Sequence, residues 1–106
     1  MEIKNVKTPE ECSGMEDIRA EIDMLDRAVL SILGQRFKYV LAAAKFKTSE
    51  MSVRAPERFQ SMLVKRREWA EIEGLNPDVI EKVYSDLVNS FIQEELKHWK
   101  SKSELA

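Results

Sequence analysis

Residues 15–46, MEDIRAEIDMLDRAVLSILGQRFKYVLAAAKF, decide the fold. Met15, Ile18, Ile22, Leu25, Val29 and Ile32 recur at steps of three and four, and beyond Arg36 the row resumes at Tyr39, Ala43 and Phe46. That spacing marks one face of an α-helix, and no proline interrupts it. At ~1.5 Å per residue, about 32 residues make a rod of roughly 48 Å. A compact domain of this size has a radius of gyration of only ~13 Å. A rod striped along its whole length overhangs any core that one chain can build, so the spacing predicts a homodimer with this helix in the interface.

Punctuation on either side sets the remaining elements. SGME (13–16) reads as a capping box, with the Ser13 hydroxyl accepting from the amide three residues on and Glu16 reaching back. The first helix is therefore expected over about 14–47. TSEMSVRA (48–55) has mixed polarity and no period, and it reads as a loop. In PERFQSMLVKRREWAEIEG (56–74), Pro56 suits the first helical position and Gly74 the stop. That predicts a helix over about 56–73 with Phe59, Met62, Leu63, Arg66, Trp69 and Ala70 on one side. NPD (76–78) restarts the signal, with Asn76 as cap. A third helix should run to about 100 on Ile80, Val83, Tyr84, Leu87, Val88, Phe91, Ile92, Glu95, Leu96 and Trp99. No segment alternates with period two. The expected fold is all-α, with three helices (long, medium, long) in a single domain over 1–106.

Composition narrows the function classes. The chain has 106 residues, 43% of them hydrophobic, enough for one small core. Its 17 Lys+Arg against 19 Asp+Glu give a net charge of -2, so a general nucleic-acid binder, which carries a basic excess, is not expected. An anionic ligand must be met by cations gathered locally. A single Cys12 cannot close an internal disulfide, and with only His98 beside it no zinc site can be assembled, so no metal is expected. No stretch approaches the ~20 apolar residues of a membrane span. MEIKNVKTPEEC (1–12) lacks the apolar core of a secretion signal, and a cytoplasmic protein without a membrane partner is expected.

Three charges interrupt apolar rows: Arg36, Arg66 and Glu95. Left buried and unpaired, each would cost on the order of several kcal/mol, a large part of a small domain's net stability. Pattern alone allows Arg36 two roles, a structural ion pair with Glu95 or an interface acid, or a contact to ligand. Arg66 reads as a surface residue snorkelling along its stem. Arg19 flanks the seam about five turns before Arg36, too far for both to serve one ligand from one copy, although an antiparallel partner could unite them. Lys47 lies about three turns past Arg36. Arg58 falls in a first helical turn, where a cation opposes the helix dipole unless an anion is near. Taken singly, Arg19, Lys47 and Arg58 read as solvated; together they could line a pocket for an anion with more than one acidic group. Nucleophilic catalysis has no support, because no triad is readable, His98 reads as a surface or packing residue, and Gly14, Gly34 and Gly74 are isolated. An enzyme of this composition would work by positioning and electrostatics.

With these residues assembled, the chain resembles the all-helical chorismate mutases. Its likeness is greatest to the isochorismate-pyruvate lyases of salicylate synthesis. SVRAPERF (52–59) belongs to the wider likeness. KTPEECSGMEDIRAEID (7–23), AAAKFKTSE (42–50), REWAEIEGL (67–75) and EELKHW (94–99) carry the lyase-like part. The resemblance implies an intertwined homodimer of chorismate mutase type, with two pockets built from both chains and a small dianionic substrate. Arg19 of one subunit and Arg36 and Arg58 of the other would hold the two carboxylates, and Lys47 would donate to the ether oxygen whose C–O bond breaks. The remaining ether-oxygen ligand falls on Glu95, where the lyases carry glutamine and some mutases glutamate. Residues 48–55 would form a lid bearing Arg54. The implied reactions are pericyclic and use no cofactor: isochorismate to salicylate and pyruvate, with chorismate to prephenate as a side activity. A dedicated chorismate mutase is the alternative, and a non-catalytic helical dimerisation module is the alternative of another class.

Overall fold

A computed structural model describes residues 5–105, with side chains to residue 102. The described residues are helical throughout their regular structure and contain no strand, as the spacing predicts. Four α-helices follow in order: α1 (Met15–Ala43), α2 (Glu50–Arg54), α3 (Pro56–Ile72) and α4 (Pro77–Leu105). Two 3-10 turns, Pro9–Glu11 and Ala44–Phe46, flank α1. Among the described residues no helix is long and apolar enough to cross a membrane. The chain divides into two compact units, up to Tyr39 and from Val40 onward.

In the first unit an arm is fastened to the opening turns of α1 by two carboxylates one turn apart. Glu21 accepts from Asn5 Nδ2 (2.7 Å), from the Val6 amide (3.1 Å) and from the Lys7 amide (2.8 Å). Asp17 accepts from both the amide and the hydroxyl of Ser13, at 2.9 Å each, and pairs with Lys7 Nζ at 3.1 Å. Asp17 therefore does the capping expected of Glu16. The helix opens at Met15, which puts residue 17 at the third position, where a carboxylate can reach back. The Ser13 hydroxyl donates, where the sequence suggested an acceptor. Most of the apolar row on α1 faces solvent: Met15, Ile22, Val29, Ile32 and Tyr39 are all exposed, Tyr39 at 78%.

The second unit holds the packed core. Val53, Met62, Leu63, Ala70 and Leu96 are buried there together with Ala44. α3 and α4 form a hairpin whose turn is fixed by local chemistry. Gly74 takes φ 75°, its amide donates to Glu71 O and the Leu75 amide donates to Ala70 O, the paired bonds of a Schellman ending. Asn76 Oδ1 then accepts from the Asp78 amide at 2.9 Å and caps α4. Arg67 ties the hairpin by reaching from α3 to Asp78 (2.8 Å) and Glu81 (3.3 Å) on α4.

Several boundaries differ from expectation. The α-helical part of the first long helix stops at Ala43 and tightens into the 3-10 turn, a common ending for a helix. α4 runs to Leu105, beyond the expected 100. The segment read as a loop, 48–55, contains α2: Ser49 Oγ accepts from the Ser52 amide, and Ser52 Oγ bonds back to the backbone of Ser49. Five residues are too few to display a period, and the capping serines were its only signal. Arg66 is half-buried. Its guanidinium lies over the rings of Trp69 (4.6 Å) and Tyr84 (5.6 Å), a cation-π arrangement between α3 and α4.

Candidate active site

Lys47 follows directly on the 3-10 turn, where the chain leaves helical geometry for an extended residue at φ -92° and ψ 137°. Its amide closes that turn on Ala44 O, and its carbonyl is thereby turned out of the helix. The side chain lies half-buried, with Nζ donating to Ser52 O of α2 at 2.9 Å and standing 4.0 Å from Glu95 Oε2 of α4. Of the predicted site residues, Lys47 and Glu95 are the two brought together within this unit.

Glu95 is buried at 5% exposure, and no other polar residue among those described is buried to that degree. Its Oε2 has no hydrogen-bond partner among the described residues. Burial raises its pKa above the ordinary carboxylate value, and the Lys47 ammonium opposes that only in part. With the partner at 4.0 Å, desolvation prevails. The upward shift widens the pH range in which the carboxyl is protonated and can donate a hydrogen bond.

The remaining cations are distributed as follows. Arg58 is exposed in the first turn of α3, and its guanidinium has no ion pair among the described residues. Arg54 is engaged within α2, where it bonds Glu50 through Nε and Nη2 at 3.3 and 3.1 Å. Arg19 and Arg36 belong to the first unit on α1. Arg19 is exposed, whereas Arg36 is half-buried with Nη1 out of solvent. The arm and α1 also enclose a cavity of about 520 Å³ walled mainly by Val6, Pro9, Ile18, Ile22 and Leu25, which contains none of the predicted site residues.

Sequence reasoning missed two contacts. Trp99 Nε1 donates to the Lys47 carbonyl at 3.1 Å, although the residue read only as an apolar member of the α4 row. Its signal is the four-residue step from Glu95, which puts both side chains on one face of α4. The acceptor on Ser52 is likewise announced by Pro56 four residues later: a proline has no N–H to offer the carbonyl one turn back.

Known proteins resemble this chain over most of its length. A family model for chorismate mutase type II matches residues 18–96. Isochorismate pyruvate lyase of Pseudomonas aeruginosa is 42% identical over 95 residues, which are 90% of this chain and 94% of that protein. The T-protein of Haemophilus influenzae is 36% identical over 81 residues, 76% of this chain but 20% of that protein. The T-protein of Enterobacter agglomerans is 39% identical over 67 residues, 62% of this chain and 18% of that protein. The chain belongs to the chorismate mutase type II family.

Proposed function

We propose that this protein is a pericyclic enzyme that cleaves isochorismate to salicylate and pyruvate, with chorismate mutase activity on the side. The observation that carries the proposal is the pairing of a half-buried ammonium with a buried carboxyl of raised pKa, Lys47 and Glu95. The likeness to the Pseudomonas aeruginosa lyase over nine-tenths of the chain supports the choice of substrate. In either reaction an enolpyruvyl ether C–O bond breaks as another bond forms within the same molecule. In the lyase a hydrogen moves within the substrate; in the mutase the side chain migrates. Negative charge grows on the ether oxygen, and what the protein supplies is a held conformer and donors aimed at that oxygen. Lys47 Nζ is one such donor and protonated Glu95 the other.

Arg19 of one subunit and Arg36 and Arg58 of its partner hold the two carboxylates, in an intertwined homodimer of one chorismate-mutase-like domain per chain. The exposed row on α1 supports the dimer, since a stripe of large apolar residues on one face calls for a covering surface. Residues 48–55, with α2 and Arg54, act as the lid over bound substrate. Glu95 itself favours a second reading, a dedicated chorismate mutase, because the lyases this chain resembles carry glutamine there. Incubation with each substrate separates the two. Salicylate fluorescence from isochorismate at a higher kcat/KM than chorismate loss supports the lyase, the reverse order supports the mutase, and turnover of neither defeats both.

A further inference from the structure

We propose that Trp99 is a positioning residue for Lys47, and that α4 sets the origin of the reacting ammonium by holding the Lys47 backbone. The inference rests on the role given to Lys47 above. The grip is the 3.1 Å bond from Trp99 Nε1 to the Lys47 carbonyl, while Glu95 Oε2 stands 4.0 Å from Nζ, beyond hydrogen-bond reach. Trp99 and Glu95 are four residues apart, one turn of a single helix, so both reach Lys47 from one rigid element.

Lys47 needs such a grip because of where it sits. It is the first extended residue after a 3-10 turn, and the chain then runs through Thr48 to the cap of α2. Its carbonyl has left the helical ladder, and a backbone acceptor held near the protein interior must find a donor. The indole N–H supplies it from a residue 52 positions away in sequence. A shift of Trp99 would release the Lys47 backbone and with it the origin of the side chain.

The far end has one anchor of its own, on α2. An ammonium has three donors and no acceptor. One goes to Ser52 O at 2.9 Å, a carbonyl near the end of α2 for which Pro56 can provide no amide. Glu95 lies to a second side. With one N–H anchored on that carbonyl, the swing of Nζ is confined, and a remaining N–H is available for the ether oxygen. A flexible lysine is thereby turned into a preorganised donor, which is the form in which a donor contributes most to a transition state.

The test is removal of the indole N–H with retention of the ring. Trp99→Phe, and a site-specific replacement of Trp99 by benzothienylalanine, which keeps the bicyclic shape without the N–H, are assayed beside the wild type and Lys47→Ala. The expected result is a fall in kcat of about tenfold or more with KM within about twofold, as for a displaced catalytic group. The melting temperature should fall by no more than about 5 °C, the scale of one lost hydrogen bond in a domain of this size. In the Lys47→Ala background the same replacement should change kcat by less than about twofold, because the two residues act as one unit. Benzothienylalanine at 99 decides the matter if Trp99→Phe proves too unstable to assay. A replacement that keeps kcat in an active enzyme overturns the inference alone, as does an undiminished kcat effect in the Lys47→Ala background. A wild type that turns over neither substrate overturns the functional proposal, and the inference with it.

Discussion

Burial and the Lys47 ammonium pull the pKa of Glu95 in opposite directions, and the net displacement is upward. Two consequences have definite signs. The folded state then holds a proton that the unfolded state has released between the ordinary value of 4.5 and the higher folded value. Stability from this group is fully present below the unfolded pKa and is lost as pH rises through the folded one. Turnover should follow the same direction, falling as Glu95 ionises beside an electron-rich ether, and Glu95→Gln should flatten the profile. A wild-type rate constant between roughly pH 5 and 8 would remove the proton-donor role. Lys47→Ala should lower kcat by on the order of 10²-fold, as loss of one preorganised donor does. An effect confined to KM would leave Lys47 as a binding residue only. Glu95 was legible in the sequence because a carboxylate in an apolar row must have a reason. Trp99 was not, because a tryptophan in such a row needs none beyond its ring, and its N–H partner is a backbone atom that no residue letter encodes.

At the scale of elements, helices long enough to show several turns of periodicity were readable, and their ends were readable where the chain uses glycine, asparagine or proline. α2 escaped because it is closed by serine bonds and buries the single core residue Val53, which makes no stripe. Between α2 and α3, Ala55 sits at φ 40° and ψ 63°, the left-handed region that costs a residue with a Cβ roughly 1 kcal/mol or more. Ala55→Gly should therefore leave stability unchanged or raise it by up to about 1 kcal/mol, whereas the same change in a right-handed helical residue costs about 1 kcal/mol. Urea denaturation measures this, and a clear loss of stability would mean that the methyl group matters more than the backbone. The arm has its own pH dependence. Asp17 is held down to about 2 by its bonds from Ser13 and Lys7, and Glu21 is lowered mainly by Asn5. Both contribute above their unfolded values and lose that contribution as pH falls through the folded ones. Protection of the Val6 and Lys7 amides, relative to their intrinsic exchange rate at each pH, should accordingly fall on acidification before that of the α3–α4 hairpin, and simultaneous loss of protection would show that the arm is not separately fastened.

For the whole molecule, the row on α1 that was legible as a stripe is the row that one chain leaves exposed. What the sequence could not supply is which residues of a partner cover it, because one chain's pattern records only its own half of an interface. Val29, 51% exposed, is a sensitive position. Val29→Glu improves intrinsic helix propensity slightly, so in a monomer it should be harmless, but in the proposed dimer it buries a charge. Sedimentation should then show the wild type at twice the chain mass and the variant as a monomer lacking turnover. A wild type that sediments as a single chain would refute the shared-site arrangement.

That exposed stripe also governs how the protein comes into being. The contacts between α3 and α4 lie within one chain, but on the proposed dimer the outer face of α1 stays wet until a second chain arrives. Maturation becomes a second-order event: refolding should quicken with concentration, the melting temperature should climb with it, and dilution should abolish both pockets together.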